Sequence, residues 1–208
     1  LTNHTVDVGD ADTNPPPDHA GIHWFELRKH DDTWSIYQEG IYAPDSDHRW
    51  MGSIAMDRLG NIALGYSVAS EQTFPSIRYT GRLSGDPLGT LAQGERSLIE
   101  GTASQTESNR WGDYSMMAVD PIDDCTFWYT QEYYQASPTQ TVKLPAAEYW
   151  RTRIGSFKFP NCTTKSPGTL TGIIYESTGE PTTHPVAEAS VWVNLSPTQT
   201  LKTSSDQN

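Results

Sequence analysis

The chain is short of positive charge, of long apolar runs, of helix-length patterns and of cysteine. Fourteen Lys and Arg stand against 26 Asp and Glu, a formal net charge of −12 over 208 residues. No basic run occurs, and phosphate binding needs clustered Lys and Arg, so the balance argues against a nucleic-acid partner. No stretch of about 18 apolar residues is present, which leaves nothing to form a transmembrane helix. No signal peptide opens the sequence. Leu1 is not a natural start, and any such segment is expected upstream or already removed. The best helix candidate, Pro145–Trp150, is one turn at most and carries no usual cap. There is no Gly-x-Ser-x-Gly elbow, no His-Glu-x-x-His and no Gly-rich phosphate loop, so nucleophilic, zinc-peptidase and nucleotide chemistry have no foothold.

What is present is aromatic and turn-rich. Trp and Tyr together number 17, Gly and Pro 30, and charged residues make up only 19%. Disordered chains have the opposite composition, so this one is expected to fold, and into many short strands. Aromatic or β-branched runs bounded by Gly, Pro, Asp or Asn predict strands at Ile22–Lys29, Thr33–Tyr42, Trp50–Met56, Asn61–Val68, Ser76–Leu83 and Glu95–Glu100. The series continues at Gly112–Val119, Cys125–Tyr134, Trp150–Phe159, Gly168–Tyr175 and Ala189–Leu195.

An internal repeat organises these strands. Glu39-Gly40 followed by Arg49-Trp50 matches Glu100-Gly101 followed by Arg110-Trp111, at a constant spacing of 61. Beyond each Arg-Trp, a small-apolar strand ends in Asp57 or Asp120, turns, and returns as an aromatic strand. Four antiparallel strands repeating at this distance suit a propeller blade. The expected class is therefore all-β: a partial β-propeller of four-stranded antiparallel blades, followed by the start of a small β-sandwich. Residues 1–18 read as an acidic linker or loop. Residues 19–162 read as the end of one blade, one full blade and three strands of a last. A linker at 163–167 precedes the sandwich segment, 168–208. A β-sandwich that merely contains a duplication is the alternative.

Cys125 opens one predicted strand and Cys162 ends its neighbour. If that hairpin is symmetric about the loop 136–149, the two lie opposite each other, within reach of a disulfide. A bridge implies an oxidising compartment, hence a secreted or cell-surface protein. Asn-x-Ser/Thr sequons stand at Asn3, Asn161 and Asn194.

The segment Gly168–Tyr175, the turn Ser177–Pro181 and the run Pro185-Val186-Ala187-Glu188-Ala189-Ser190-Val191 resemble the carboxypeptidase regulatory-like family, a transthyretin-like β-sandwich. Arg110–Ser115, Val119-Asp120-Pro121, Cys125–Tyr129 and Gly155-Ser156-Phe157 resemble secreted bacterial proteins carrying a sialidase-like propeller ahead of such modules. The second resemblance implies the propeller and an extracellular setting, without an agreed activity.

Two candidate sites follow. A sialidase-like hydrolase needs paired carboxylates, or a Tyr nucleophile with an acid, together with arginines. Arg49, Arg110 and Asp113 are the catalytic candidates, at the starts of the innermost strands beside Trp50 and Trp111, with Glu132, Tyr133 and Tyr134 on the next strand out. A residue repeated in each unit is more often architectural, with Arg paired to Asp and Trp filling the seam. Calcium is the one cofactor the acidic runs suggest, at Asp7, Asp10 and Asp12 or at Asp120, Asp123 and Asp124, although neither run completes a calcium loop. A solvated acidic loop is the plainer reading. The leading functional expectation is an extracellular binding or structural propeller. It would be completed by strands from another fragment of the same precursor or from identical subunits, and would present a surface to a glycan or protein ligand.

Overall fold

The computed structural model describes residues 1–9, 18–106, 108–136, 150–163, 190–196 and 199–204. Among them every regular element is a strand: β1 (Thr2–Asp7), β2 (Ala20–His30), β3 (Thr33–Tyr42), β4 (His48–Met56), β5 (Ile62–Ala69), β6 (Ser76–Arg82), β7 (Arg96–Ile99), β8 (Met116–Val119), β9 (Phe127–Tyr134), β10 (Trp150–Phe157), β11 (Ser190–Ser196) and β12 (Gln199–Ser204). The protein is all-β. It divides into two compact units, Leu1–Lys165 and Ser166–Asn208. The described part of the second is one antiparallel pair, β11 with β12. The expected strand Gly168–Tyr175 lies outside the described residues.

The first unit holds three open antiparallel sheets, ordered β1-β2-β3, β4-β5-β6-β7 and β8-β9-β10. The middle sheet is the four-stranded unit that the repeat predicted, and the third has three strands, again as predicted. One expectation is corrected. Residues 1–18 are not all loop, because Thr2–Asp7 pairs along its whole length with β2, from Thr2 opposite Phe25 to Asp7 opposite Ala20. Its sequence, TNHTVD, is polar and mostly exposed. Backbone hydrogen bonds to a neighbour hold it, and hydrophobic patterning does not reveal a strand of that kind.

The middle sheet is covered on both faces because β5 alternates large with small. Ile62, Leu64, Tyr66 and Val68 join Ile22 and Trp24 of the first sheet in one core. On the opposite face Ala63 joins Met117, Phe127 and Tyr129 of the third sheet in a second core. A Cβ placed on Gly65 would lie 2.4 Å from the Tyr129 ring, so the ring occupies the space that the missing side chain leaves. Ser67 Oγ, on the same face, accepts a hydrogen bond from Trp111 Nε1 at 2.9 Å. The repeated glycines have a similar role. A Cβ on Gly40 would come within 2.2 Å of the Gly89 carbonyl oxygen, and one on Gly101 equally close to that of Pro75.

Cys125 and Cys162 are bridged, with Cα atoms 5.6 Å apart. The route differs from simple opposition across the ladder. The observed register pairs Trp150 with Tyr134 and Phe157 with Phe127, which carries Phe159 rather than Cys162 toward Cys125. A turn then brings Cys162 back, its N–H donating to the Phe159 carbonyl at 3.0 Å.

Candidate functional site

The two repeated arginines have opposite environments. Arg49, on β4, is fully buried. Its guanidinium grips Asp45 through two nitrogens, at 2.8 and 3.0 Å, and donates to Glu95 at 2.9 Å and to the Asp47 carbonyl at 2.8 Å. Glu95 also accepts from Tyr66 Oη at 2.7 Å and from Arg78 at 2.8 Å. Arg78 reaches on to both oxygens of Glu100 at 3.0 Å. Burial pushes the Glu95 carboxyl upward, but hydrogen bonds from Arg49, Tyr66 and Arg78 outweigh it and hold the group below its ordinary range. The Arg49 hydrogen bond likewise holds the Asp45 carboxyl down. All three nitrogens of Arg49 donate to protein acceptors, so this arginine braces the loop before β4 and the segment before β7.

Arg110 lies between β7 and β8 with its side chain 74% exposed, and pairs with Asp113 at 2.7 Å. An exposed pair of this kind is worth about 0–1 kcal/mol. It borders a cleft of about 310 Å³ together with Trp111, Gly112, Glu132 and Trp150. Glu132 comes from the outward face of β9, since Gln131 and Tyr133 on either side of it are buried. Burial raises the Glu132 carboxyl, and the negative charge of Asp113 raises it further, against a hydrogen bond from Gly112. Trp111 is held from behind by Ser67 and leans on Trp50, ring centroids 5.6 Å apart and planes 67° apart. Trp150, which opens β10, is 44% exposed. Arg110 and Asp113 are therefore brought together at an open cleft, and Arg49 is not part of it.

A second hollow, of about 440 Å³, is bordered by Trp50, His48, Ala20 and Glu71, and a third, of about 280 Å³, shares Ala20 and His48 and adds His19, Asp7 and Asp18. The backbone N–H of Ala20 donates to His48 Nδ1 at 3.2 Å, and the His19 and His48 rings meet edge to face at 5.6 Å.

The acidic runs serve their own backbones. Asp123 accepts from the N–H groups of Cys125 and Thr126 and from Thr126 Oγ1, at 2.7–2.9 Å. Those bonds hold its carboxyl at about 2. Asp120 caps Ile122 N–H and accepts from Trp128 Nε1. Asp124 sits at φ 52°, its carbonyl accepting from Arg58 N–H. Asp7 accepts from Gly9 and His19 N–H, while Asp10 and Asp12 lie outside the described residues. Among the described residues no group of three or more His, Cys, Asp or Glu is arranged to hold a metal ion, and no helix is long and apolar enough to cross a membrane.

In the sequence Glu132 is only a neighbour of the arginine candidates, and His48 and Trp150 belong to no motif. The alternation of β9, with Phe127, Tyr129 and Tyr133 buried, was the available signal for Glu132 facing outward. No family model matches the chain, and neither a curated protein nor a solved structure matches it.

Proposed function

We propose that the first unit is part of an extracellular binding protein of propeller type, whose ligand is a glycan held at the Arg110–Trp150 cleft. The observation that carries this reading is the cleft itself. Two tryptophans, an arginine–aspartate pair and a partly desolvated glutamate border one concavity, and ligand sites combine apolar walls with a few convergent polar groups in this way. The propeller reading is supported by the 61-residue repeat, by the three sheets packed in sequence order, and by the Trp50–Trp111 contact between repeat-equivalent positions. The disulfide supports an oxidising, extracellular setting.

Two further surfaces support completion by strands from the same precursor or from a second copy. Trp34, Ile36 and Ile41 on the edge strand β3 are more than half exposed, as are Met116 and Ile154 on the outer face of the third sheet. Unpaired sheet edges are templates for strand addition.

A sialidase-like hydrolase is the second reading, and Glu132 beside Asp113 favours it. A raised carboxyl next to an ionised one is the pattern of an acid and a base. Against it, Arg49 is consumed by protein acceptors, which leaves Arg110 as the one arginine among the described residues bordering the cleft. Calorimetric titration with a panel of neutral, amino and sialylated oligosaccharides, paired with assays for reducing-sugar and sialic-acid release, separates the readings. Binding that Trp150→Ala abolishes, without turnover, is the result expected. Turnover that Glu132→Gln abolishes would favour the hydrolase, and no binding of any glycan would overturn both.

A further inference from the structure

The cleft at Arg110 does not stand alone. It is bordered by Trp111, the second hollow by Trp50, and these two rings touch. The second and third hollows share Ala20 and His48. The three concavities thus follow one another across the third, second and first sheets, with the Trp50–Trp111 pair between the first two. Packed sheets lie about 10 Å apart, so a path across three of them covers about 20 Å.

The charges along this path are one-sided. Glu132 and Asp113 stand at one end, Glu71 in the middle, and Asp18 and Asp7 at the other, whereas Arg110 is the one Lys or Arg among the described bordering residues and is already paired with Asp113. A sialylated or uronic chain would meet repulsion over most of that length. A protonated amine is favoured twice, by charge-assisted hydrogen bonds to carboxylates and by tryptophan faces, which attract cations.

We propose that the three hollows form one groove that binds an extended, linear glycan bearing protonated amino groups, of the glucosamine type. This rests on the glycan-binding reading above and adds the length and charge of the ligand. The Trp50–Trp111 pair would form the step between neighbouring subsites, with Glu71 and Asp18 meeting amino groups beyond it.

The test is calorimetric titration of the intact chain with glucosamine disaccharide and hexasaccharide, with their N-acetylated counterparts, and with a sialylated oligosaccharide of similar length. The expected result is a glucosamine hexasaccharide bound at least about tenfold more tightly than the disaccharide, a difference of about 1.4 kcal/mol. Its affinity should fall with added salt, and both the N-acetylated and the sialylated chains should bind more weakly. Trp50→Ala should reduce the hexasaccharide advantage. Because that variant also removes a packing contact, Glu71→Gln provides a second test on an exposed side chain. It should weaken the hexasaccharide more than the disaccharide and lower the salt dependence. Equal affinity for the short and long chains, or sialylated chains bound as tightly as glucosamine chains, overturns the extended groove while the Arg110 cleft survives as a glycan site. Absence of binding to every sugar overturns the underlying reading as well.

Discussion

Trp50 and Trp111 stand 61 positions apart, at the same place in two repeat units, and their rings meet edge to face at 5.6 Å. The sequence repeat is thus also a contact in space. An aromatic pair of this geometry contributes about 0.5–1.5 kcal/mol beyond the area it buries. We expect a double-mutant cycle of Trp50→Leu and Trp111→Leu, read by urea unfolding, to return a coupling in that range. Strict additivity would show that the contact carries no energy of its own.

Gly65 faces the Tyr129 ring with no room for a methyl group. Gly65→Ala forces the ring or the strand aside, a cost of about 1–3 kcal/mol by the usual scale of overpacking. Truncating the ring in the double variant Gly65→Ala, Tyr129→Leu should recover part of the loss relative to Tyr129→Leu alone. Comparison of the four urea midpoints checks this.

The Arg49 cluster gives the fold an acid limit. Glu95, Asp45 and Glu100 are all held below their ordinary values in the folded chain, so the folded state binds fewer protons than the unfolded one at mildly acid pH. Their contribution is complete at neutral pH. It falls away as the pH drops from about the ordinary glutamate value of 4.5 through the depressed folded values. Arg49→Ala leaves Glu95 with Tyr66 and Arg78 as its remaining partners, so it should destabilise the chain at neutral pH by less than the roughly 3–5 kcal/mol of a fully unpaired buried charge. Arg49→Met restores volume but not charge, and should flatten the slope of stability against pH in the acid range. Denaturation midpoints at neutral and acid pH would show it, and an unchanged slope would assign the acid limit to other groups.

The Cys125–Cys162 bridge joins residues 37 positions apart. Reduction, or the pair Cys125→Ser and Cys162→Ser, should lower stability by about 2–4 kcal/mol. Phe159 belongs to the second core and the bridge lies beside it, so the loss should loosen β10 first. Hydrogen exchange along β10 that rises before exchange in β5 is the expected signature.

The β2–β3 hairpin turns through Asp31 and Asp32, both at positive φ, 44° and 67°. A two-residue turn with both residues left-handed is type I′, where Asn-Gly is preferred. Replacing the pair by Asn-Gly should raise the thermal midpoint, against the loss of the exposed Lys29–Asp32 and His30–Asp31 contacts at 2.6 and 3.0 Å. A thermal midpoint that fails to rise would assign those two exposed ion pairs a larger share.

The sequence by itself determined the class, most of the strands and the grouping of β4 to β7 and of β8 to β10. Those features rest on local signals: aromatic and β-branched runs, Gly, Pro and Asp at turns, and a repeat that brings the same signals back after 61 residues. It also paired the two cysteines. Only the tertiary structure decided what cannot be read along the chain. It made a strand of Thr2–Asp7, because hydrogen bonds to β2 hold a segment with no apolar pattern. It fixed the ladder register that carries Cys162 round a turn to its partner. It also separated two arginines that the repeat made equivalent. Arg49 meets Asp45 and Glu95 and disappears into the fold, while Arg110 meets Asp113 and faces solvent. The same Arg-Trp pair has two roles, because each arginine has its own near neighbour, Asp45 or Asp113, and only Arg49 is also met by a carboxylate from a distant segment, Glu95.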